Sequence, residues 1–184
     1  MFVVKRNPKN PLLGPQKGHS FEGYAVFNAN PVLVGSNIEI LYRSQSLPEK
    51  VGNDVFSLST ISRATSRDGV NFKNRQQFIV PEEKWERFGC EDPRVTKIGS
   101  KYFTFYTALS VHPFSAQGIK VGLAISKDLK KVDEKHLVTP FNAKAMTLFP
   151  EKVNGKYTAL LTVHPDLPPS SIAIAQFSKI EEIW

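Results

Sequence analysis

One hairpin pattern recurs three times along this chain, and it constrains the fold more than any other feature. Each copy pairs a short strand, a tight turn and a strand rich in aromatic or β-branched residues, over residues 31–42, 93–106 and 150–161. Gly35-Ser36-Asn37, Gly99-Ser100 and Asn154-Gly155 supply the positive-φ residues that two-residue hairpin loops require. A further apolar strand follows each hairpin, at 59–66, 120–126 and 171–177, and aligning Ala64, Ala124 and Ala175 gives offsets of 60 and 51 residues. The first two of these strands run into polar turns, Arg67-Asp68-Gly69 and Lys127-Asp128-Leu129, that lead toward an outer edge strand.

A small sheet recurring at this spacing is the signature of propeller blades, because one such sheet cannot bury both faces without neighbours. A β-sandwich built from similar hairpins is the alternative. No segment keeps helical periodicity over three turns, so an all-β fold with little helix is expected. Three repeats do not close a ring, and open blade edges invite association. A truncated propeller is therefore expected, its edges covered by further blades or by another copy in a homo-oligomer.

The opening is different in kind. Pro8, Pro11 and Pro15 exclude a helix and read as an extended arm over residues 1–23, ahead of a partial propeller domain over 24–184. The 24 basic and 17 acidic residues give a net charge of +7, but the charges are scattered, and the densest basic stretch, Lys127 to Lys135, holds three acids. It reads as a solvated turn, which argues against nucleic acid as a partner and leaves a small anion as the better match. Cys90 is the single cysteine and forms no internal disulfide or metal-site spacing. No stretch approaches a membrane span and the first residues lack the apolar core of a signal peptide, so no membrane partner and a cytoplasmic location are expected.

Chemistry concentrates in Glu91-Asp92-Pro93-Arg94, just ahead of the second hairpin. Proline disfavours helical backbone in the residue before it, so Asp92 is expected to be extended, with its carboxylate aimed from a strand entrance into the channel of a propeller. On spacing alone the segment is equally readable as structural, with Asp92 capping a turn and Arg94 paired to Glu91. No metal motif, phosphate-cradling glycine loop or serine-histidine-acid arrangement stands out, and a site without metal or organic cofactor is expected.

Several spaced motifs, in order, carry a family resemblance. They are Asn10-Pro11-Leu12-Leu13, Phe27-Asn28, Leu41-Tyr42-Arg43, Cys90-Glu91-Asp92-Pro93-Arg94, Tyr106-Thr107-Ala108, Gly122-Leu123-Ala124-Ile125-Ser126 and Leu148-Phe149-Pro150-Glu151-Lys152. Together they resemble glycoside hydrolase family 130, the β-mannoside phosphorylases and related β-mannosidases, from about residue 6 onward. The resemblance implies a five-bladed propeller of which this chain covers about three blades. It implies an inverting cleavage of β-mannosides in which Asp92 gives a proton to the leaving oxygen, relayed in the phosphorylases through a sugar hydroxyl.

The same resemblance places Asn28, Arg43 and Arg94 around the sugar. It assigns inorganic phosphate, the one co-substrate implied, to positions that are Lys120, Lys144 and His164 here. Lysine keeps a charge but not the bidentate fork of the family's arginine, and neutral histidine keeps neither. If water attacks instead, a second carboxylate must act as base roughly 6.5–9.5 Å from the acid, and Glu151 and Asp166 are the candidates. Tyr42 and Tyr106 read as packing between blades, whereas His112 and His136 have no partner visible in the sequence. The β-fructosidase and arabinanase group is a rival, disfavoured because Asn28 stands where it needs an aspartate. A non-catalytic sugar-binding or scaffold propeller is the alternative from another class.

Overall fold

A computed structural model describes residues 3–184. Blade one is a meander of β1 (Ala25–Val34), β2 (Asn37–Gln45), β5 (Ser59–Ser66) and β6 (Lys73–Ile79), all antiparallel neighbours. A side hairpin of β3 (Glu49–Val51) and β4 (Asp54–Phe56) interrupts it between β2 and β5. Blade two repeats the meander with β7 (Gly89–Ile98), β8 (Lys101–Leu109), β9 (Ile119–Ser126) and β10 (Glu134–Leu137). Blade three has β11 (Ala143–Leu148), β12 (Tyr157–Val163) and β13 (Ser171–Phe177). The only helical elements among the described residues are short 3-10 turns at Ser20–Glu22, Lys84–Glu86, Ala116–Gly118 and Ile180–Ile183. No helix among them is long and apolar enough to cross a membrane.

The repeat read from the sequence is the repeat of the fold. Ala64, Ala124 and Ala175 face Ile40, Thr104 and Ala159, the same ladder position in each blade. Two expectations need correction. The first strand of the third hairpin is Ala143–Leu148, and Pro150 lies in the connection to β12, because Asn154-Gly155 closes only the isolated bridge between Val153 and Lys156. The Lys127 to Lys135 stretch is not wholly solvated either. Leu129 is fully buried, and the Lys135 ammonium reaches inward to Glu86 at 2.7 Å.

Blade two is covered on both faces, which is why β8 reads as an almost unbroken aromatic and apolar run. One face, with Tyr106, Ala108 and Ala124, packs on Leu41 and Ile61 of blade one. The other, with Phe105, Leu123 and Ile125, packs on Met146 and Leu161 of blade three. Gly122 is required where it stands, since a Cβ there would lie 2.4 Å from Cζ of the Tyr106 ring. The far face of blade three leaves Ile172 and Ile174 77% and 69% exposed, and the outer edge of β13 has no ladder partner among the described residues.

A buried carboxylate ties the second strand to the outer strand in each of the first two blades. Glu22 and Glu86 are both fully buried, each in a 3-10 turn shortly before its inner strand. Glu22 accepts from the Tyr42 hydroxyl at 2.9 Å and pairs with Arg75 at 3.2 Å. Glu86 accepts from the Tyr106 hydroxyl and pairs with Lys135. Burial, with the facing carboxylates, pushes both phenols well above their usual range. Burial opposes the charge of Lys135, but its hydrogen bonds to Glu82 and Glu86 hold the ammonium above its usual range. Tyr106 thus packs between blades, as its sequence position suggested, whereas Tyr42 borders a cavity that Leu12 and Leu13 of the N-terminal segment also line.

Candidate active site

The inner strands β1, β7 and β11 lie side by side, and the same bulge breaks each of them. Register slips between Phe27 and Asn30, between Glu91 and Arg94, and between Lys144 and Thr147. Each bulge holds one residue at positive φ, namely Asn28 at 51°, Asp92 at 54° and Ala145 at 54°. A bulge leaves its extra residue unpaired and turns that side chain away from the alternation of the strand.

This corrects the expectation that Asp92 is extended at a strand entrance. It is the fourth residue of β7, and the bulge overrides the preference that Pro93 imposes. Aspartate and asparagine tolerate this left-handed region better than most residues. Asn28 and Asp92, displaced alike in adjacent blades, meet through a hydrogen bond from Asn28 Nδ2 to Asp92 Oδ1 at 2.7 Å.

Arg43 on β2 joins them. Its guanidinium pairs with Glu91 Oε1, lies 3.7 Å from Asp92 Oδ1, donates through Nε to Ser59 Oγ at 3.1 Å, and stacks 4.6 Å from the Phe27 ring centroid. Ser59 in turn donates to Glu91 Oε1 at 3.1 Å. The partner of Glu91 is therefore Arg43, not Arg94, because the bulge separates residues 91 and 94 in register. Arg94 lies beyond the bulge and donates to the carbonyl of Pro93 at 2.9 Å. Burial holds the Glu91 carboxyl above the usual range, outweighing the Arg43 charge and the Ser59 hydrogen bond that favour its ionised form.

The Asp92 side chain keeps 30% of its surface exposed, and among the described residues its Oδ2 has no protein partner. The carboxylate is thus held through one oxygen, with the other left accessible.

The three expected phosphate ligands are placed differently from one another. Lys144 precedes the third bulge, and its charge is close enough to Glu91 to favour that group's ionised form. It is, however, paired with Asp166 at 3.2 Å. Asp166 also accepts from Asn142 Nδ2 at 3.1 Å. His164, at φ 52°, donates its backbone N–H to the Asn142 carbonyl at 2.9 Å, with its ring 6.2 Å from Phe141. Lys120 is half-buried on β9 and has no ion-pair partner among the described residues. Glu151 is exposed in the loop after β11.

Sequence reasoning missed Ser59 and Asn142. Ser59 opens a strand whose start was legible, but its bond to Glu91 depends on the parallel bridge between Ser59 and Gly89, a contact between blades. Asn142 carried no motif at all, since its role comes from the loops that converge on it.

Comparisons with known proteins identify the family and the fold. The family model described as beta-1,4-mannooligosaccharide phosphorylase, glycoside hydrolase family 130, matches residues 5–176. A beta-1,2-mannobiose phosphorylase of Thermoanaerobacter sp. (strain X514) is 32% identical over 176 residues, covering 91% of this chain and 57% of the relative. A 1,2-beta-oligomannan phosphorylase of the same organism is 31% identical over 168 residues, covering 91% of this chain and 56% of the relative. Among solved structures, the beta-1,2-mannobiose phosphorylase of Listeria innocua, in complex with beta-1,2-mannobiose, superposes with a TM-score of 0.77 at 25% identity, over 95% of this chain and 63% of that one. The chain thus spans somewhat more than half the length of these relatives.

Proposed function

The chain belongs to glycoside hydrolase family 130, and from that premise we propose that it supplies the acid half of a site that cleaves β-mannosidic bonds with inversion. The observation that carries this reading is the Asp92 carboxylate, turned out of β7 by the bulge, with Oδ1 fixed by Asn28 and Oδ2 open. Asp92 protonates the departing glycosidic oxygen, directly or through a sugar hydroxyl, as the nucleophile enters from the opposite face of the ring. Asn28 and Arg43 orient the carboxylate and present an amide and a guanidinium to sugar hydroxyls. Arg94 contributes from the far side of the bulge.

Phosphorolysis is the leading form of the reaction, supported by the named activities of the relatives. Lys144, Lys120 and His164 would then gather phosphate, which must be concentrated and oriented against the charge of the site. One observation favours hydrolysis as a second reading. Lys144 is already neutralised by Asp166, and Asp166, 29% exposed, is a carboxylate free to activate water once that pair opens.

Incubating the protein with β-1,2-mannobiose, with and without inorganic phosphate, tests both. Mannose 1-phosphate that appears only with phosphate supports the first reading, and free mannose without phosphate supports the second. Absence of both products from the full-length protein rejects the assignment.

A further inference from the structure

The loops at the end where β7 begins carry a group of aromatic rings outside the acid site. Phe56, at the end of the β3–β4 hairpin, meets Phe88 edge-on at 6.2 Å and His112 at 5.3 Å. His112 lies 5.2 Å from Phe114, edge-on, and 5.9 Å from Phe88. Phe114 is 51% exposed and Phe56, Phe88 and His112 are half-buried, whereas Phe105 and Tyr106 in the cores are 0% and 2% exposed.

Polar groups rim the rings. Asp54 faces His112 at 3.5 Å, and the Arg87 guanidinium lies over Phe88 at 5.4 Å. The loop that carries His112 and Phe114 is pinned. Ser110 N–H donates to the Gly118 carbonyl at 2.9 Å, and Asn142 Nδ2 donates to the Ala116 carbonyl at 3.0 Å. At Gly118 a Cβ would stand 2.3 Å from Val111 Cγ2, so the base of the loop closes only around a glycine.

We propose that this aromatic group is a binding platform for a pyranose of the β-mannoside on the acceptor side of the bond cut at Asp92. Apolar sugar faces stack on aromatic rings, while charged or polar groups beside the rings read the equatorial and axial hydroxyls. Position supports the match. Phe88 immediately precedes β7 and is four residues before Asp92, at most about 13 Å of chain, within the reach of a short oligosaccharide. Continuity supports it too, since Phe56 stands three residues before Ser59, whose hydroxyl bonds Glu91. This inference rests on the β-mannoside reading above and adds a subsite to it.

The test measures binding and turnover separately. Isothermal titration of the full-length protein with β-1,2-mannotetraose should show Phe114→Ala weakening the Kd about fivefold, with Phe114→Trp retaining wild-type binding, in keeping with one lost stacking contact. The loss should be smaller for β-1,2-mannobiose, which is too short to span both points. Equal binding by wild type and Phe114→Ala overturns the platform, as does failure of the wild type to bind tetraose. Ring-dependent binding without turnover leaves the platform standing and removes the catalytic reading. Turnover with binding indifferent to Phe114 does the reverse.

Discussion

Arg43→Ala removes the cation that Glu91 and Asp92 share, and its cost follows from how little water reaches the pair. The Arg43 and Glu91 side chains are 17% and 14% exposed. Removing one partner of a buried pair costs about 3–5 kcal/mol; the residual exposure and the surviving Ser59 hydrogen bond reduce the expectation to about 2–3 kcal/mol at pH 8. For a chain of this length each kcal/mol lowers Tm by about 2–4 °C, so the variant should melt roughly 4–12 °C earlier.

The pH dependence has a definite sign. Burial already places the folded-state pKa of Glu91 above its ordinary value, and Arg43 is the strongest opposing influence, so the variant raises it further. A carboxyl with a raised folded pKa binds protons more tightly when folded. Its stability contribution is therefore highest below the ordinary pKa and falls as pH rises toward the raised one. The deficit of Arg43→Ala should shrink toward about pH 5, and Glu91→Gln added to it should restore stability at about pH 8. Urea unfolding followed through Trp85 and Trp184 fluorescence at both pH values measures this. A deficit independent of pH, or a double variant as unstable as Arg43→Ala alone at the higher pH, refutes the reasoning.

Asp92→Asn keeps the hydrogen bond to Asn28 but cannot donate the proton, so kcat should fall by about 10²–10⁴ with mannobiose binding largely kept; near-normal kcat moves the acid elsewhere. Asp166→Asn frees Lys144 from its carboxylate. The KM for phosphate should drop severalfold in initial-rate assays, and an unchanged KM removes Lys144 from the nucleophile site. Gly122→Ala forces a methyl against the Tyr106 ring and should cost about 1–3 kcal/mol, read as a lower urea midpoint at unchanged m; an unshifted midpoint means that the ring moves aside freely.

Much of the fold was legible because the blade writes its own period. Strands 59–66 and 171–177 match their observed bounds, and the third differs by one residue at Ile119. Local turn chemistry reports such elements well. The positive-φ glycines Gly35, Gly99 and Gly155 sit where the hairpins turn, and Ser66 and Ser126 accept backbone N–H groups in the turns to the outer strands. The site was legible only in part. Asn28, Arg43 and Asp92, which the structure brings together, could be named, but the Asp92 backbone could not, because the proline rule is local and the bulge is a property of pairing with β8. Arg43 and Glu91 stand 48 positions apart and Ser59 and Glu91 32 apart, so no spacing rule in the sequence joins them.

The threefold bulge explains why the acid sits where it does. If positive φ at Asp92 had been selected for chemistry alone, the matching positions would have no reason to share it. Yet Asn28 has it, and so does Ala145, whose methyl side chain can make no hydrogen bond to offset a conformation that costs a non-glycine residue about 1–2 kcal/mol. The strain therefore belongs to the blade, as the way an inner strand bends where three of them converge. The blades differ in what occupies the displaced position: an amide in blade one, a carboxyl in blade two, a methyl group in blade three. Asymmetry follows directly. Asn28 can orient Asp92 because both are displaced alike in neighbouring blades, whereas Ala145 leaves the third side open, so that Lys144, the residue before it, is the group that carries charge there.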